Sequence, residues 1–176
     1  KDLGRPVSFT ALPAWLDAPG MKPLAEAAPE FVLQVHWLAP PQRADQPMAL
    51  CDPSAARVAV KKAARLGRPF RVALPTYGYQ VAFDAAGKPL GIAAEQQRRW
   101  PANARVRAVS ADATELAELV ARWQRQRPAA LKGLIWYRLP VSTDRMNWRW
   151  PTLERVMRGE RPEGRVRVES LQQGAL

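Results

Sequence analysis

Phe31-Val32-Leu33-Gln34-Val35-His36-Trp37, then Asp52-Pro53-Ser54, then Phe70-Arg71-Val72-Ala73-Leu74-Pro75 are the stretches that decide the fold. The first and third are short apolar runs of strand length, rich in β-branched and aromatic residues. In the second, Asp52 offers a side-chain acceptor to the orphan N–H groups of a first helical turn. Pro53 has a φ already suited to that turn. A helix is expected from there to about Leu66, stopped by Gly67. Strand, helix, strand requires a crossover, and a crossover lays the two strands parallel.

The same unit recurs in both directions. Upstream, residues 7–12 read as a strand stopped by Pro13, and residues 21–28 as a short helix. Downstream, Asp112 caps a helix to about Gln126, with Leu116, Leu119, Val120 and Trp123 on one stripe. Residues 133–137 make a fourth strand, and Pro151 opens a last helix to about Arg158. One interruption breaks the repeat. Residues 79–84 and 88–92 flank Ala85-Ala86-Gly87, the pattern of a β-hairpin inserted into a βα loop, and residues 105–109 read as a further strand. Arg165-Val166-Arg167-Val168-Glu169 alternates strictly and reads as a solvent-facing strand outside the repeat.

A complete (β/α) barrel takes about 250 residues, and this chain has 176. The expected fold class is therefore α/β and barrel-like: the C-terminal half of a TIM-type barrel with an inserted β-hairpin. Residues 1–160 form the half domain and residues 161–176 a C-terminal strand or tail. An open doubly wound sheet also fits the pattern. Such a sheet usually carries a Gly-rich nucleotide loop after its first strand. Here Leu12-Pro13-Ala14-Trp15 stands in that place, and no GxGxxG or P-loop occurs.

The chain carries 27 Lys and Arg against 16 Asp and Glu, a net charge of +11. Nucleic acid, an anionic membrane and an acidic polymer are the partners such a charge attracts. The cations are scattered, however. The densest groups are Gln96-Gln97-Arg98-Arg99 and Arg122-Trp123-Gln124-Arg125-Gln126-Arg127. The second lies on an amphipathic helix, where a solvated face is the simpler reading. No zinc finger, RNP-type aromatic strand or KH-type loop is present, which disfavours nucleic acid. No run of 18 apolar residues exists. One cysteine, Cys51, and one histidine, His36, leave no intrachain disulfide and no self-contained zinc site, so no metal and no cofactor are expected. Cys51 reads as a small structural residue. Residues 1–6 read like the middle of a protein, so a longer parent is expected.

In parallel α/β folds, ligands meet the carboxyl ends of the strands. Those ends are alike here: Leu12-Pro13-Ala14-Trp15, Gln34-Val35-His36-Trp37, Leu74-Pro75-Thr76-Tyr77-Gly78-Tyr79 and Trp136-Tyr137-Arg138-Leu139-Pro140. Trp15, Gln34, His36, Trp37, Tyr77, Tyr79, Trp136 and Arg138 are the candidate ligand-binding residues. Alternation puts Gln34 with His36, and Trp136 with Arg138. Flat aromatic faces with hydrogen-bonding neighbours suit sugar rings, and also a nucleobase or a peptide. The competing reading closes the sheet's mouth with Trp15, Trp37 and Tyr77 as core, and makes His36 a satisfied buried histidine. Glycoside hydrolysis needs two carboxylates flanking the bond. The nearest acids, Asp17, Asp84 and Asp144, all lie in loops beyond the strands. Asp144 and His36 are the catalytic candidates, His36 as a general base near neutral pH.

Thr10-Ala11-Leu12-Pro13-Ala14-Trp15-Leu16, Leu33-Gln34-Val35-His36, Ala73-Leu74-Pro75-Thr76-Tyr77-Gly78 and the Trp136–Pro140 segment together resemble a bacterial family known as domain of unknown function 3142. The resemblance runs from the first strand to about Arg158. It implies an N-terminal continuation with an Asp-x-Asp strand, and a distant similarity to family 18 glycoside hydrolases. Trp136 would then match a strand-eight aromatic and Tyr77 a pocket wall, while the acidic motif has no counterpart in this chain. The expected function is carbohydrate binding, or part of a glycoside-hydrolase-like barrel, with no turnover by this chain alone. The alternative is a non-catalytic scaffold module that recruits an anionic partner. The expected partners are an oligosaccharide or cell-envelope polysaccharide, and a second copy or an N-terminal half. An envelope or periplasmic setting is favoured over the cytoplasm.

Overall fold

The computed structural model describes residues 4–37, 41, 43–94 and 98–163. The expected terminal strand at 165–169, all of the proposed tail beyond residue 163 and part of the Gln96–Arg99 cluster lie outside the described residues. Four strands, β1 (Phe9–Ala11), β2 (Phe31–Gln34), β3 (Phe70–Pro75) and β7 (Leu131–Tyr137), form one sheet in the order β1-β2-β3-β7. Every neighbouring pair is parallel. The crossovers carry α1 (Met21–Ala27), α2 (Pro53–Ala64) and α3 (Ala113–Arg125), and α4 (Trp150–Met157) follows β7. The sheet is open and does not close into a barrel among the described residues.

The helix starts follow the capping chemistry. Asp52 accepts from the N–H groups of Ser54 and Ala55, and Asp112 from those of Thr114 and Glu115. Each cap satisfies two donors that a helix start leaves orphaned, typically worth about 1 kcal/mol.

Strand parity then decides where the core sits. Phe9, Phe31 and Phe70 are register partners across β1, β2 and β3, and their rings stack at 5.5 and 5.4 Å. Leu33, Val72, Leu74 and Leu131 share their face and are fully buried or nearly so. The buried residues of α2 and α3, Met21 and Ala25 of α1, and Val156 of α4 join the same cluster. The helices therefore pack against a single face of the parallel sheet. A doubly wound sheet would have buried both faces. The opposite face carries Thr10, Val32, Gln34, Arg71, Ala73, Ile135 and Tyr137. Only Ala73 is buried there, while Ile135 is 37% and Tyr137 48% exposed. Arg71 and Glu30 form an ion pair at this face.

Between β3 and β7 the chain leaves the parallel sheet. β4 (Gly78–Phe83), β5 (Pro89–Ala93) and β6 (Arg105–Ser110) form an antiparallel sheet in the order β5-β4-β6. The expected hairpin is β4–β5, and the further strand at 105–109 is β6, which pairs with β4 along its length. Gly78 opens this insertion. A Cβ there would stand 2.7 Å from the Val109 carbonyl oxygen and 3.3 Å from that of Met146, so only glycine fits the close approach. No described helix is long and apolar enough to cross a membrane.

Candidate functional site

Three rings meet at the carboxyl edge of the parallel sheet. His36 lies two residues past β2, Tyr77 two past β3, and Tyr137 is the last residue of β7. Because β2, β3 and β7 are adjacent, the rings form a mutual cluster. His36 stacks on Tyr137 at 5.6 Å and meets Tyr77 edge-on at 5.7 Å; the two tyrosines meet edge-on at 5.6 Å. His36 Nδ1 and the Tyr77 hydroxyl are 3.3 Å apart, with the donor set by the ring's tautomer.

His36 is only 2% exposed, and its Nε2 is buried without a hydrogen-bond partner among the described residues. Burial lowers its pKa to about 4, so the imidazole is neutral at pH 7. Tyr77 is pushed up to about 12, first by burial and then by the neighbouring Tyr137 and Tyr79 hydroxyls. Both groups are thus neutral hydrogen-bonding partners at ordinary pH. A neutral imidazole is formally able to accept a proton, but so low a pKa makes it a weak base.

The loop after β7 closes over this edge and is pinned to β3. The Thr76 N–H donates to the Tyr137 carbonyl at 2.8 Å, and the Trp148 N–H to the Thr76 carbonyl at 2.8 Å. The Thr76 hydroxyl and, at 3.1 Å, the Asn147 amide donate to the Arg138 carbonyl. Arg138 donates to Asp144, whose second oxygen accepts from the Met146 N–H at 3.0 Å. The Asp144 side chain is 3% exposed, so its oxygens serve this loop. The other two strand-end acids are also engaged. Asp17 pairs with Lys62 at 2.5 Å, and Asp84 caps the β4–β5 turn by accepting from the Lys88 N–H.

The sequence-derived candidates divide. His36 and Tyr77 are brought together, and Gln34 joins them by donating to the His36 carbonyl at 3.0 Å. Trp15 and Trp37 stand at the ends of β1 and β2, nearly half exposed. Arg138 and Asp144 pair on the rim. Tyr79 lies behind Tyr77 with its ring in the core and its hydroxyl unpartnered among the described residues. Trp136 does not share the site face: its ring packs on Trp148 and on the helix-side core.

Tyr137 takes the place that alternation assigned to Trp136, and the cause is a bulge. Phe70 pairs with Leu131 but Arg71 with Gly133, leaving Lys132 as an extra residue in β7. One extra residue exchanges the faces of everything after it. A signal was present in Leu131, Leu134 and Trp136, whose apolar spacing of three and then two breaks the strand period.

Cys51 is half-buried, and its thiol is pushed up to about 12 by burial and by Asp52 and Glu115. A thiol so hard to ionise is a poor nucleophile. No group of three or more His, Cys, Asp or Glu that could hold a metal occurs among the described residues.

A family profile described as "Domain of unknown function (DUF3142)" matches residues 4–142. No curated protein matches significantly. Solved structures similar to the chain include a chitinase from Chromobacterium violaceum, at 15% identity and a TM-score of 0.55, over 87% of this chain and 54% of that one. A chitinase from Bacillus thuringiensis matches at 12% identity and a TM-score of 0.53, over 91% of this chain and 37% of that one. At such identities the likeness is one of fold. The chain spans about half, or less, of the length of these chitinases.

Proposed function

The chain belongs to the DUF3142 family, and from that premise we propose that it is the C-terminal half of a glycoside-hydrolase-like (β/α) barrel whose strand-end face binds a carbohydrate. The observation that carries this reading is the His36–Tyr77–Tyr137 cluster at the carboxyl ends of three adjacent parallel strands. The exposed Tyr137 ring offers a stacking face, and the buried His36 and Tyr77 rings pack against it and hold it in place. Trp15 and Trp37 extend the aromatic surface across β1 and β2. The Arg138–Asp144 pair fixes the loop bearing the rim. Helices confined to one face, with the other left open, support a wall of a barrel, as does the likeness to chitinase folds.

In this reading the chain binds and orients sugar and does not cleave it. Cleavage takes two carboxylates about 5–9.5 Å apart. Asp144 is engaged by Arg138 and the Met146 N–H, and His36 is buried with its Nδ1 against the Tyr77 hydroxyl. The pair would come from another half of the barrel. Polysaccharide in the cell envelope or periplasm is the proposed target.

The test is calorimetric titration of the purified chain with chitin-, cellulose- and peptidoglycan-derived oligosaccharides. Binding nearly insensitive to salt, and lost in Tyr137→Ala or Trp37→Ala, is the expected result. Turnover abolished by Asp144→Asn or His36→Ala would overturn the non-catalytic assignment. Binding that survives Tyr137→Ala would overturn the site.

A further inference from the structure

The outer surface between α2 and α3 holds two adjoining grooves, of about 620 and 670 Å³, which share Arg57 and Arg122. The second is lined by Arg57, Lys61, Arg122 and Arg127, with Gln126 and Pro128 beside them and Val60 and Trp123 as its floor. Among the described residues no acidic side chain lines it. The acids of the first groove are partly engaged, with Asp52 capping α2 and Glu118 paired with Arg161. Arg57, Lys61, Arg122 and Arg127 make no ion pair among the described residues. The basic run of α3 is therefore one wall of a furrow, and its opposite wall is contributed by α2.

The shape and chemistry narrow the occupant. Three guanidinium groups favour forked contacts to carboxylate or phosphate oxygens. A furrow of this volume takes a few units of one extended chain. The apolar floor is buried, with Val60 at 1% and Trp123 at 5% exposure, so the half-buried Pro128 is the one apolar side chain the described lining offers to a membrane or to a protein interface core. Single-stranded nucleic acid would call for stacking platforms, and the one ring here is covered. We propose that the α2–α3 furrow binds a linear anionic polysaccharide through Arg57, Lys61, Arg122 and Arg127. This site is separate from the strand-end aromatic cluster and does not depend on it.

The purified chain is titrated with a fluorescent oligogalacturonate at rising salt. The expected result is binding that weakens steeply with salt and falls about tenfold or more in the Arg122→Gln/Arg127→Gln double variant. Arg65→Gln, which removes an exposed charge outside the furrow, leaves it unchanged, as does Tyr137→Ala. On the wild-type chain, the oligogalacturonate slows amide exchange across α2 and α3, which locates the site without any substitution. Equal losses in Arg65→Gln and the double variant would mean diffuse charge attraction and overturn the proposal. So would single-stranded DNA binding more tightly than the uronate, or unchanged exchange in α2 and α3. A chain that binds uronate here but no neutral oligosaccharide fails the strand-end reading alone.

Discussion

The two faces of the parallel sheet are built from alternate residues of the same four strands, yet they live in different solvents. On the helix-covered face, Phe31, Phe70, Leu33, Val72 and Leu74 are wholly buried. On the other face, Thr10, Ile135 and Tyr137 meet water, and Arg71 pairs with Glu30. The difference teaches that stability and recognition are divided by parity. One set of side chains holds the fold, and the other set is left free to touch something else.

The largest effect should come from breaking the covered face. Phe70→Ala is expected to cost about 3–5 kcal/mol, because it removes a wholly buried ring from a stacked ladder and leaves a cavity. Ile135→Ala, on the open face, should cost less than about 1 kcal/mol. Urea unfolding of the two variants side by side checks this, and equal costs would mean that the open face is packed after all.

Next in size is a pH effect at the point where the faces meet the strand-end cluster. His36 has a pKa of about 4 when folded, against about 6.5 unfolded. As pH falls through that window the unfolded chain takes up the proton first, so stability is full above it and declines below. The loss by pH 4 is at most about 3 kcal/mol. His36→Gln should flatten this part of the stability–pH curve relative to the parent chain, as read from denaturant midpoints at a series of pH values.

Asp144→Asn should cost about 1–3 kcal/mol, since Arg138 loses a buried charged partner and the loop after β7 loosens. The melting temperature reads this, and a loss of order in the Trp148 fluorescence signal should accompany it. The smallest stability change belongs to Tyr137→Ala, within about 1 kcal/mol at a half-exposed ring, whereas sugar binding should vanish. That contrast is the sharpest form of the division between faces.

Much of this arrangement was legible in the sequence. Asp52-Pro53 and Asp112 announced the helix starts, and the strand-end Pro and aromatic residues announced the edge where His36 and Tyr77 meet. The α3 stripe of Leu116, Leu119, Val120 and Trp123 was likewise plain from its spacing. Strand parity in β7 was harder to read, because the bulge at Lys132 is a property of pairing with β3 and leaves only the broken spacing of Leu131, Leu134 and Trp136 as its local trace. The same reason hid the furrow, whose Arg57 and Lys61 stand far along the chain from Arg122 and Arg127. Tyr79 read as a mouth residue because it follows Tyr77, but β4 turns away into a second sheet and takes the ring inside.

That second sheet has a consequence for how the chain can change. Gly78, where the insertion departs, is the register partner of Ser110, where it ends. Departure and return are therefore stitched together, and everything between them forms a closed excursion from the parallel sheet. A closed excursion adds little loop entropy to the joining of β3 and β7, however long its far end grows. Changes in the length of the turn at residues 84–88, whose outside tie is the Ala44 N–H to the Gly87 carbonyl, are therefore expected to leave the register of the strands beneath unaltered. The insertion is thus a self-closed annex, held beside the strand-end cluster by the few residues between Pro75 and Gly78.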